Sequence, residues 1–144
     1  MIALDQIAVG LGMIVLTTII HALFMVSGNH FAVWRLARFG RARSNWSKAI
    51  RIAGLTAWQF LAVVTEALIW ALLYRLNASI TVLPDLATAL YFSMTTFTTV
   101  GYGDIVLAKE WRILASLQAA NGMIIFGWST ALIFYYIQRI YGSE

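Results

Sequence analysis

Residues 98–104 read TTVGYGD, a run of threonines followed by two glycines that flank a tyrosine. They interrupt a chain of 144 residues that is 61% hydrophobic and only 11% charged. A soluble domain of this size needs more charge to cover its surface. Together with a mean hydropathy of +0.79, this composition predicts an integral membrane protein that contains a glycine-bearing loop.

Three apolar stretches around the loop are long enough to cross a bilayer. A hydrocarbon core of roughly 30 Å needs about 20 apolar residues of helix. Residues 7–26, 55–74 and 111–137 supply such lengths. Residues 86–97 do not, because at ~1.5 Å per residue they form a helix only ~18 Å long. We therefore predict an all-α membrane protein with three transmembrane helices and a short re-entrant helix before the loop.

The basic residues predict the orientation of these helices. Six of the ten lysines and arginines, and no acidic residue, lie between residues 27 and 51. Because such residues concentrate in cytoplasmic loops, we expect this connection inside and the N-terminus outside. The third helix then runs inward and ends in the cytoplasm. The expected location is the inner (plasma) membrane of the cell, as a multi-pass protein.

The two glycines allow the loop to turn its carbonyl groups to one side. Extended backbone at membrane depth is tolerated only where protein buries it or where it lines a watery path. Carbonyls that all face one axis need dihedral angles that most residues resist, whereas Gly101 and Gly103 tolerate positive φ. Rings of such oxygens from several copies can replace the hydration shell of an ion. The loop therefore predicts ion binding by backbone carbonyls.

The loop resembles the selectivity filter of the potassium-channel superfamily, whose motif TVGYG is present at residues 99–103. The wider match runs through LPDLATALYFSMTTFTTVGYGDI (83–105) and WRILASLQAANGMIIFGWSTAL (111–132). The chain looks like the small bacterial ion channels with two pore helices and a re-entrant loop, with an extra N-terminal transmembrane helix. The resemblance implies a K⁺ selectivity filter formed by Thr99, Val100, Gly101, Tyr102 and Gly103, with K⁺ held at the first four. One motif per chain, in a filter that uses four loops, implies a homotetramer.

The predicted function is passive, potassium-selective conduction. A weakly selective cation channel and a non-conducting modulatory membrane subunit are the alternatives. An enzyme is not expected, because two scattered histidines and no cysteine provide no metal site or nucleophile pair. No cofactor is expected beyond K⁺ as the permeant ion. No regulatory domain is expected after residue 137, so control would come from pH, lipid, voltage, ion occupancy or a separate regulatory subunit.

These predictions divide the chain into three parts. Residues 1–27 form an N-terminal transmembrane helix, and residues 28–51 form a basic cytoplasmic interfacial linker. The pore domain, 52–144, comprises an outer helix (52–76), a pore helix (84–98), the filter (99–103) and an inner helix (111–140).

Several residues around the filter are candidates for its support. Pro84 suits the first turn of the pore helix, and Asp85 complements its positive end. The opposite end, near Thr98, directs partial negative charge toward the cavity. The resemblance implies that Tyr91 hydrogen-bonds Asp104 and braces the filter. Asp104 has the alternative of a solvated external charge that concentrates cations, since Thr95 stands where family members can have a buried carboxylate.

The inner helix has a candidate gating face. On a 3.6-residue period this face comprises Gly122, Phe126, Ser129 or Thr130, and Ile133. We interpret Gly122 as a hinge, with close helix packing as its alternative, and Gly127 as a site of close helix packing, with a hinge as its alternative. Asn121 has two interpretations, a polar contact in the cavity or a hydrogen bond between helices.

Glu66 falls inside the second helix, where ionisable groups are functional candidates. Measured from the predicted cytoplasmic ends, His21 lies ~8 Å deep and Glu66 ~21 Å deep, which argues against a direct pair. We predict that Glu66 hydrogen-bonds near the pore helix, Ser116 or Gln118, as structural support behind the filter. A pH-sensitive gate at Glu66 is the alternative. His21 is interpreted as a packing residue.

Arginines recur in the basic connection at a spacing that resembles a voltage-sensing helix. The segment is too polar to span, so we predict an interfacial helix whose arginines face anionic lipid rather than nucleic acid. The residues assigned to lipid are Arg35, Arg38, Arg41 and Arg43.

Overall fold

The computed structural model of the protein describes residues 3–39 and 44–141. Within these ranges it has four α-helices, a short 3₁₀ helix and no strand. The helices are α1 (Ala3–Phe39), α2 (Asn45–Leu76), α3 (Leu86–Phe97) and α4 (Arg112–Tyr141), and the 3₁₀ helix is Lys109–Trp111. Among the described residues, three helices are long and apolar enough to cross a membrane, and α3 is not. The predicted all-α architecture is therefore confirmed.

The helices extend further than the predicted spans. α1 continues to Phe39 and α2 begins at Asn45, so most of residues 28–51 lies within these two helices rather than in a separate interfacial helix. Ser44 caps α2, because its side chain accepts the backbone N–H of Ser47 at 3.2 Å while Ser47 Oγ accepts that of Ser44 at 3.4 Å. The predicted spans end where the apolar stretch ends. The observed helices are longer because a helix can continue beyond the apolar stretch into polar sequence.

α1 lies antiparallel to α2 and parallel to α4. Trp58 Nε1 of α2 donates to the carbonyl oxygen of Phe24 in α1 at 3.0 Å. Along the seam with α4, residue numbers rise together. Gln6 Oε1 accepts the Leu114 N–H at 3.3 Å near one end, and Tyr136 donates to Asn29 Oδ1 at 2.6 Å near the other. α1 and α4 therefore begin on the same side, as the predicted topology requires.

A buried polar cluster fixes α3 between α2 and α4. Tyr74 donates to Gln118 Oε1 at 2.9 Å, and Gln118 Nε2 donates to Ser93 Oγ at 2.7 Å. Ser93 Oγ in turn donates to the carbonyl oxygen of Ala67 at 2.5 Å. Buried apolar side chains surround the cluster, among them Trp70, Phe92, Phe97, Leu114 and Ile125. These contacts set the position of α3 and hence of the loop that follows it.

Candidate functional site

The loop after α3 has alternating backbone conformations. Positive φ occurs at Thr99 (60°), Gly101 (51°) and Gly103 (80°), and among the described residues Thr99 is the sole non-glycine of this kind. Alternation of left- and right-handed conformations lets successive peptide groups face the same side. The positive φ expected at both glycines is confirmed.

Thr99 is a candidate site residue with a backbone conformation that the sequence does not indicate. A β-branched residue at positive φ is an outlier that costs on the order of 1–3 kcal/mol and persists only where its surroundings impose it. Here the Thr99 N–H donates to the Thr96 carbonyl at 3.0 Å, and the Gly101 N–H donates to the Thr95 carbonyl at 3.1 Å. The last turn of α3 thus holds the start of the loop.

One side of the loop is open. Val100 is 52% exposed and Tyr102 is 72% exposed, and the backbone around them carries two glycines. Behind the loop, a cavity of about 160 Å³ separates it from α3 and the start of α4, with Phe92, Thr95 and Arg112 among its lining residues.

Tyr91 braces the far end of the loop. Its hydroxyl donates to Asp104 Oδ2 at 2.7 Å. Of the two interpretations of Asp104, the structure therefore contains the hydrogen bond, which forms without a carboxylate at residue 95. Thr95 Oγ1 instead donates to the Phe92 carbonyl at 3.0 Å, so the side chain of Thr95 serves its own helix.

Asp85 caps the N-terminus of α3. Its Oδ1 accepts the backbone N–H of Thr88 at 2.8 Å, and its Oδ2 accepts the Thr88 hydroxyl at 2.9 Å. These two hydrogen bonds hold the pKa of Asp85 below its ordinary value, and the bond from the Thr88 backbone has the larger effect. Because Asp85 is the cap, Pro84 precedes it rather than lying in the first turn. The predicted complement to the helix dipole is thus a direct cap.

Gly122 packs directly on the end of α3. A Cβ built on Gly122 would lie 1.8 Å from the carbonyl oxygen of Phe97, whereas one built on Gly127 meets nothing within 4 Å. Close packing thus occurs at Gly122, the alternative considered for it, whereas the close packing predicted at Gly127 is not found among the described residues. The reason is that α3 ends against α4 at the level of Gly122. A hinge at Gly122 stays a prediction.

The remaining residues of the predicted gating face do not share one surface. Asn121 Nδ2 donates to Thr17 Oγ1 of α1 at 2.7 Å, and Ser129 Oγ lies 3.3 Å from His21 Nε2. Both side chains are buried, so the cavity assignment is wrong for them, and the helix-to-helix interpretation of Asn121 is confirmed. The physical reason is α1, which covers this face of α4. Phe126 and Thr130 remain exposed.

Glu66 pairs with His21, which contradicts the prediction. Glu66 Oε1 lies 2.9 Å from His21 Nδ1, and neither side chain has any solvent exposure. Neither of the named alternatives is its partner, since Gln118 bonds Ser93 and Ser116 bonds the carbonyl of Ile113. Counted from the observed helix ends, both residues lie about 20 residues deep, or roughly 30 Å at the helical rise. The predicted mismatch in depth arises because both predicted helices are too short at this end. α1 continues past residue 26 to Phe39, and α2 begins at Asn45 rather than at residue 52.

The proposed lipid-facing arginines are only partly described. Arg41 and Arg43 lie outside the described residues, as does the Arg35 side chain, while Arg38 is exposed near the end of α1. Lipid contact at these four positions stays a prediction.

Comparison with known proteins agrees with this geometry. The profile of a family described as "Ion channel" matches residues 58–139, which span α3, the loop and most of α2 and α4. The calcium-gated potassium channel TvoK of Thermoplasma volcanium is 35% identical over 85 residues, 56% of this chain. The match covers 24% of TvoK, so the chain corresponds to about a quarter of that relative's length. No solved structure matches. α1 lies outside the family match.

Proposed function

The chain belongs to the ion-channel family and, within it, to the potassium-channel superfamily, and from this premise we propose that it forms a channel that conducts K⁺ passively and selectively. Its family is a class of membrane channels rather than of enzymes. The observation that supports K⁺ most directly is the TVGYG loop with positive φ at Thr99, Gly101 and Gly103. The proposed conduction is passive and requires no catalytic side chain.

The loop is the proposed selectivity filter. In this proposal, the carbonyl oxygens of Thr99, Val100, Gly101 and Tyr102, with the Thr99 hydroxyl at the inner end, form rings that replace the water around K⁺. Each ring binds weakly enough for an ion to move on when the next one enters. Gly103 ends the strained backbone, and the Tyr91–Asp104 hydrogen bond keeps the outer end in place.

The filter requires four chains, so we propose a homotetramer. In such a tetramer, neighbouring chains would cover Val100 and Tyr102, whose side chains are 52% and 72% exposed in the described part of one chain. α3 would point its C-terminal carbonyls, near Phe97 and Thr98, toward the shared cavity and favour a cation there. Four Asp104 carboxylates would attract cations to the outer mouth.

The proposed orientation follows from helix direction and charge. α1 and α4 run parallel. The C-terminal end of α1, from which the chain continues to α2, therefore lies on the same side as the C-terminal end of α4. Placing that end in the cytoplasm puts the filter on the outer side of the plasma membrane. The exposed Arg38 would then lie among anionic lipid headgroups, as would Arg35, Arg41 and Arg43.

A flux experiment tests the proposal. Purified protein in liposomes with a K⁺ gradient is expected to show flux that Na⁺ does not replace and that Ba²⁺ blocks. Native mass spectrometry of the same sample measures the number of chains. Equal Na⁺ and K⁺ flux would favour a weakly selective cation channel. A tetramer without flux would favour a modulatory subunit, and either result would contradict K⁺-selective conduction.

A further inference from the structure

His21, Glu66 and Ser129 join the three long helices at one buried point. We propose that the His21–Glu66 pair positions the inner helix α4 through Ser129 and that this restraint holds only while the pair carries no net charge. Conduction is therefore expected to depend on the protonation of a site remote from the filter. The inference rests on the proposed function for its flux measurement only.

The geometry makes His21 the bridge. Its Nδ1 lies 2.9 Å from Glu66 Oε1 on α2, and its Nε2 lies 3.3 Å from Ser129 Oγ on α4. Both ring nitrogens are thus occupied, one by each neighbouring helix. Trp128 packs beside the ring, with centroids 6.3 Å apart.

The surroundings favour a pair without net charge. His21, Glu66 and Ser129 are buried, and Glu66 Oε2 has no hydrogen-bond partner among the described residues. An imidazolium with a carboxylate, or an imidazole with a carboxylic acid, is neutral overall. Losing one proton leaves a net negative charge in this apolar seam, and gaining one leaves a net positive charge. Uncompensated charge at membrane depth is costly, so either change favours separation of the helices and entry of water.

No other ionisable side chain among the described residues shares the site. The nearest on each packed element are His30 on α1, Tyr74 on α2 and the exposed Tyr135 on α4, each at least about 9 Å away along its helix at the helical rise. Tyr74 and Tyr136 are hydrogen-bonded to Gln118 and Asn29. Gln59 and Trp70, the nearest buried polar residues on the same face of α2, do not titrate. A charge change at this point is therefore attributable to His21 and Glu66.

The position of Ser129 makes the restraint mechanically relevant. α4 is fixed at Gly122, where it meets the end of α3. Ser129 lies about 10 Å further along the helix, in the half that continues toward the cytoplasmic end. Movement of that half past Gly122 changes the width of the inner mouth. Releasing Ser129 from His21 removes a restraint on this movement, so we expect flux to rise when the pair becomes charged.

The test compares the pH dependence of K⁺ flux in matched variants. Wild-type flux is expected to be lowest in the pH range where the pair carries no net charge and to rise about tenfold on the acid and on the alkaline side of that range. Glu66→Gln keeps the hydrogen bonds, because its amide can donate to Nδ1, and it should lose only the alkaline rise. His21→Gln should lose only the acid rise, and the double variant should lose both. His30→Gln replaces the chain's other histidine and should match wild type.

A second measurement does not depend on conduction. In ¹⁵N-histidine-labelled protein in bilayers, the ring signals of His21 should change on Glu66→Gln while those of His30 stay the same. Indistinguishable pH profiles in wild type and the double variant would overturn the proposal, as would His21 signals that are indifferent to residue 66. Absence of any wild-type flux would contradict the proposed function instead, and the spectra would still decide the pairing.

Discussion

Gly122 of α4 lies against the carbonyl oxygen of Phe97, the last residue of α3, so closely that a Cβ would come within 1.8 Å of that oxygen. The obstacle is backbone rather than a flexible side chain, so the contact cannot adjust by rotation. α4 and the C-terminal end of α3 are therefore fixed to each other at one point, next to the loop that is proposed as the filter.

Substitution of Gly122 by Ala should displace α3 from α4 and destabilise the folded protein. Overpacking of this kind costs about 1–3 kcal/mol. Thermal unfolding in detergent measures the loss, and K⁺ flux should fall because the filter follows α3. Gly127→Ala is the control, since its Cβ would meet no atom of the described residues within 4 Å. Equal stability of the two variants would show that the contact does not restrain the helices.

Gly101→Ala should abolish selective flux, because an L-residue is strained at its φ of 51°. Gly54→Ala, in an open position of α2 without positive φ, is the control and should conduct normally. Incorporation of D-alanine at residue 101 by semisynthesis should restore K⁺ flux, since a D-residue favours that φ. Selective flux in the L-alanine variant would contradict the filter assignment.

The hydrogen bond between Tyr91 and Asp104 should stabilise the outer end of the filter. We expect Tyr91→Phe and Asp104→Asn each to raise Na⁺ permeability relative to K⁺, measured from reversal potentials in planar bilayers. If the two residues act through this bond, the double variant should be no worse than the more affected single variant. Additive effects would mean that Asp104 acts as a separate surface charge.

Asp85 gives a pH-dependent contribution to the stability of α3. Its hydrogen bonds to Thr88 lower the pKa of its carboxyl in the folded state, so the stabilisation is present above the ordinary pKa of aspartate. It is lost as the pH falls through the lowered pKa. Asp85→Ala should therefore unfold at a lower temperature than wild type at neutral pH, and the difference should shrink in acid. Asp85→Asn retains a cap without a charge and should show no such convergence with Asp85→Ala.

What the sequence could predict depended on whether the determining interactions are local. Positive φ at Gly101 and Gly103 follows from the two residues themselves, and the length of α3 follows from its own apolar run. Thr99 gives no such signal, because a β-branched residue ordinarily avoids the conformation that the turn before it imposes.

The errors concern the register between helices. His21 and Glu66 lie at the same depth when depth is counted from the observed ends of α1 and α2. Those ends lie beyond the apolar stretches, so hydropathy does not indicate them. Among the described residues the closely packed glycine is Gly122 rather than Gly127, because the face of α4 that meets α3 is set by tertiary packing. Ser129 was assigned to the cavity for a similar reason, since periodicity groups residues on a face without saying that α1 covers it.

The contact between Thr17 and Asn121 offers a direct test of how α1 is held. Thr17 accepts from Asn121 Nδ2 at 2.7 Å and donates to the Met13 carbonyl at 2.8 Å, and Asn121 Oδ1 has no partner among the described residues. Thr17→Val keeps the shape and removes the acceptor, leaving a buried amide with no bond to α1. Interhelical hydrogen bonds in membranes are worth about 0.6 to 2 kcal/mol.

We expect Thr17→Val to lower the unfolding free energy by about that amount, as measured by denaturant unfolding in mixed micelles. Thr18→Val changes the neighbouring, half-buried residue in the same way and should have little effect. Adding Asn121→Leu to Thr17→Val should recover part of the loss, because replacing both partners leaves no unpaired polar group. Equal effects of Thr17→Val and Thr18→Val would mean that α1 is held by shape alone.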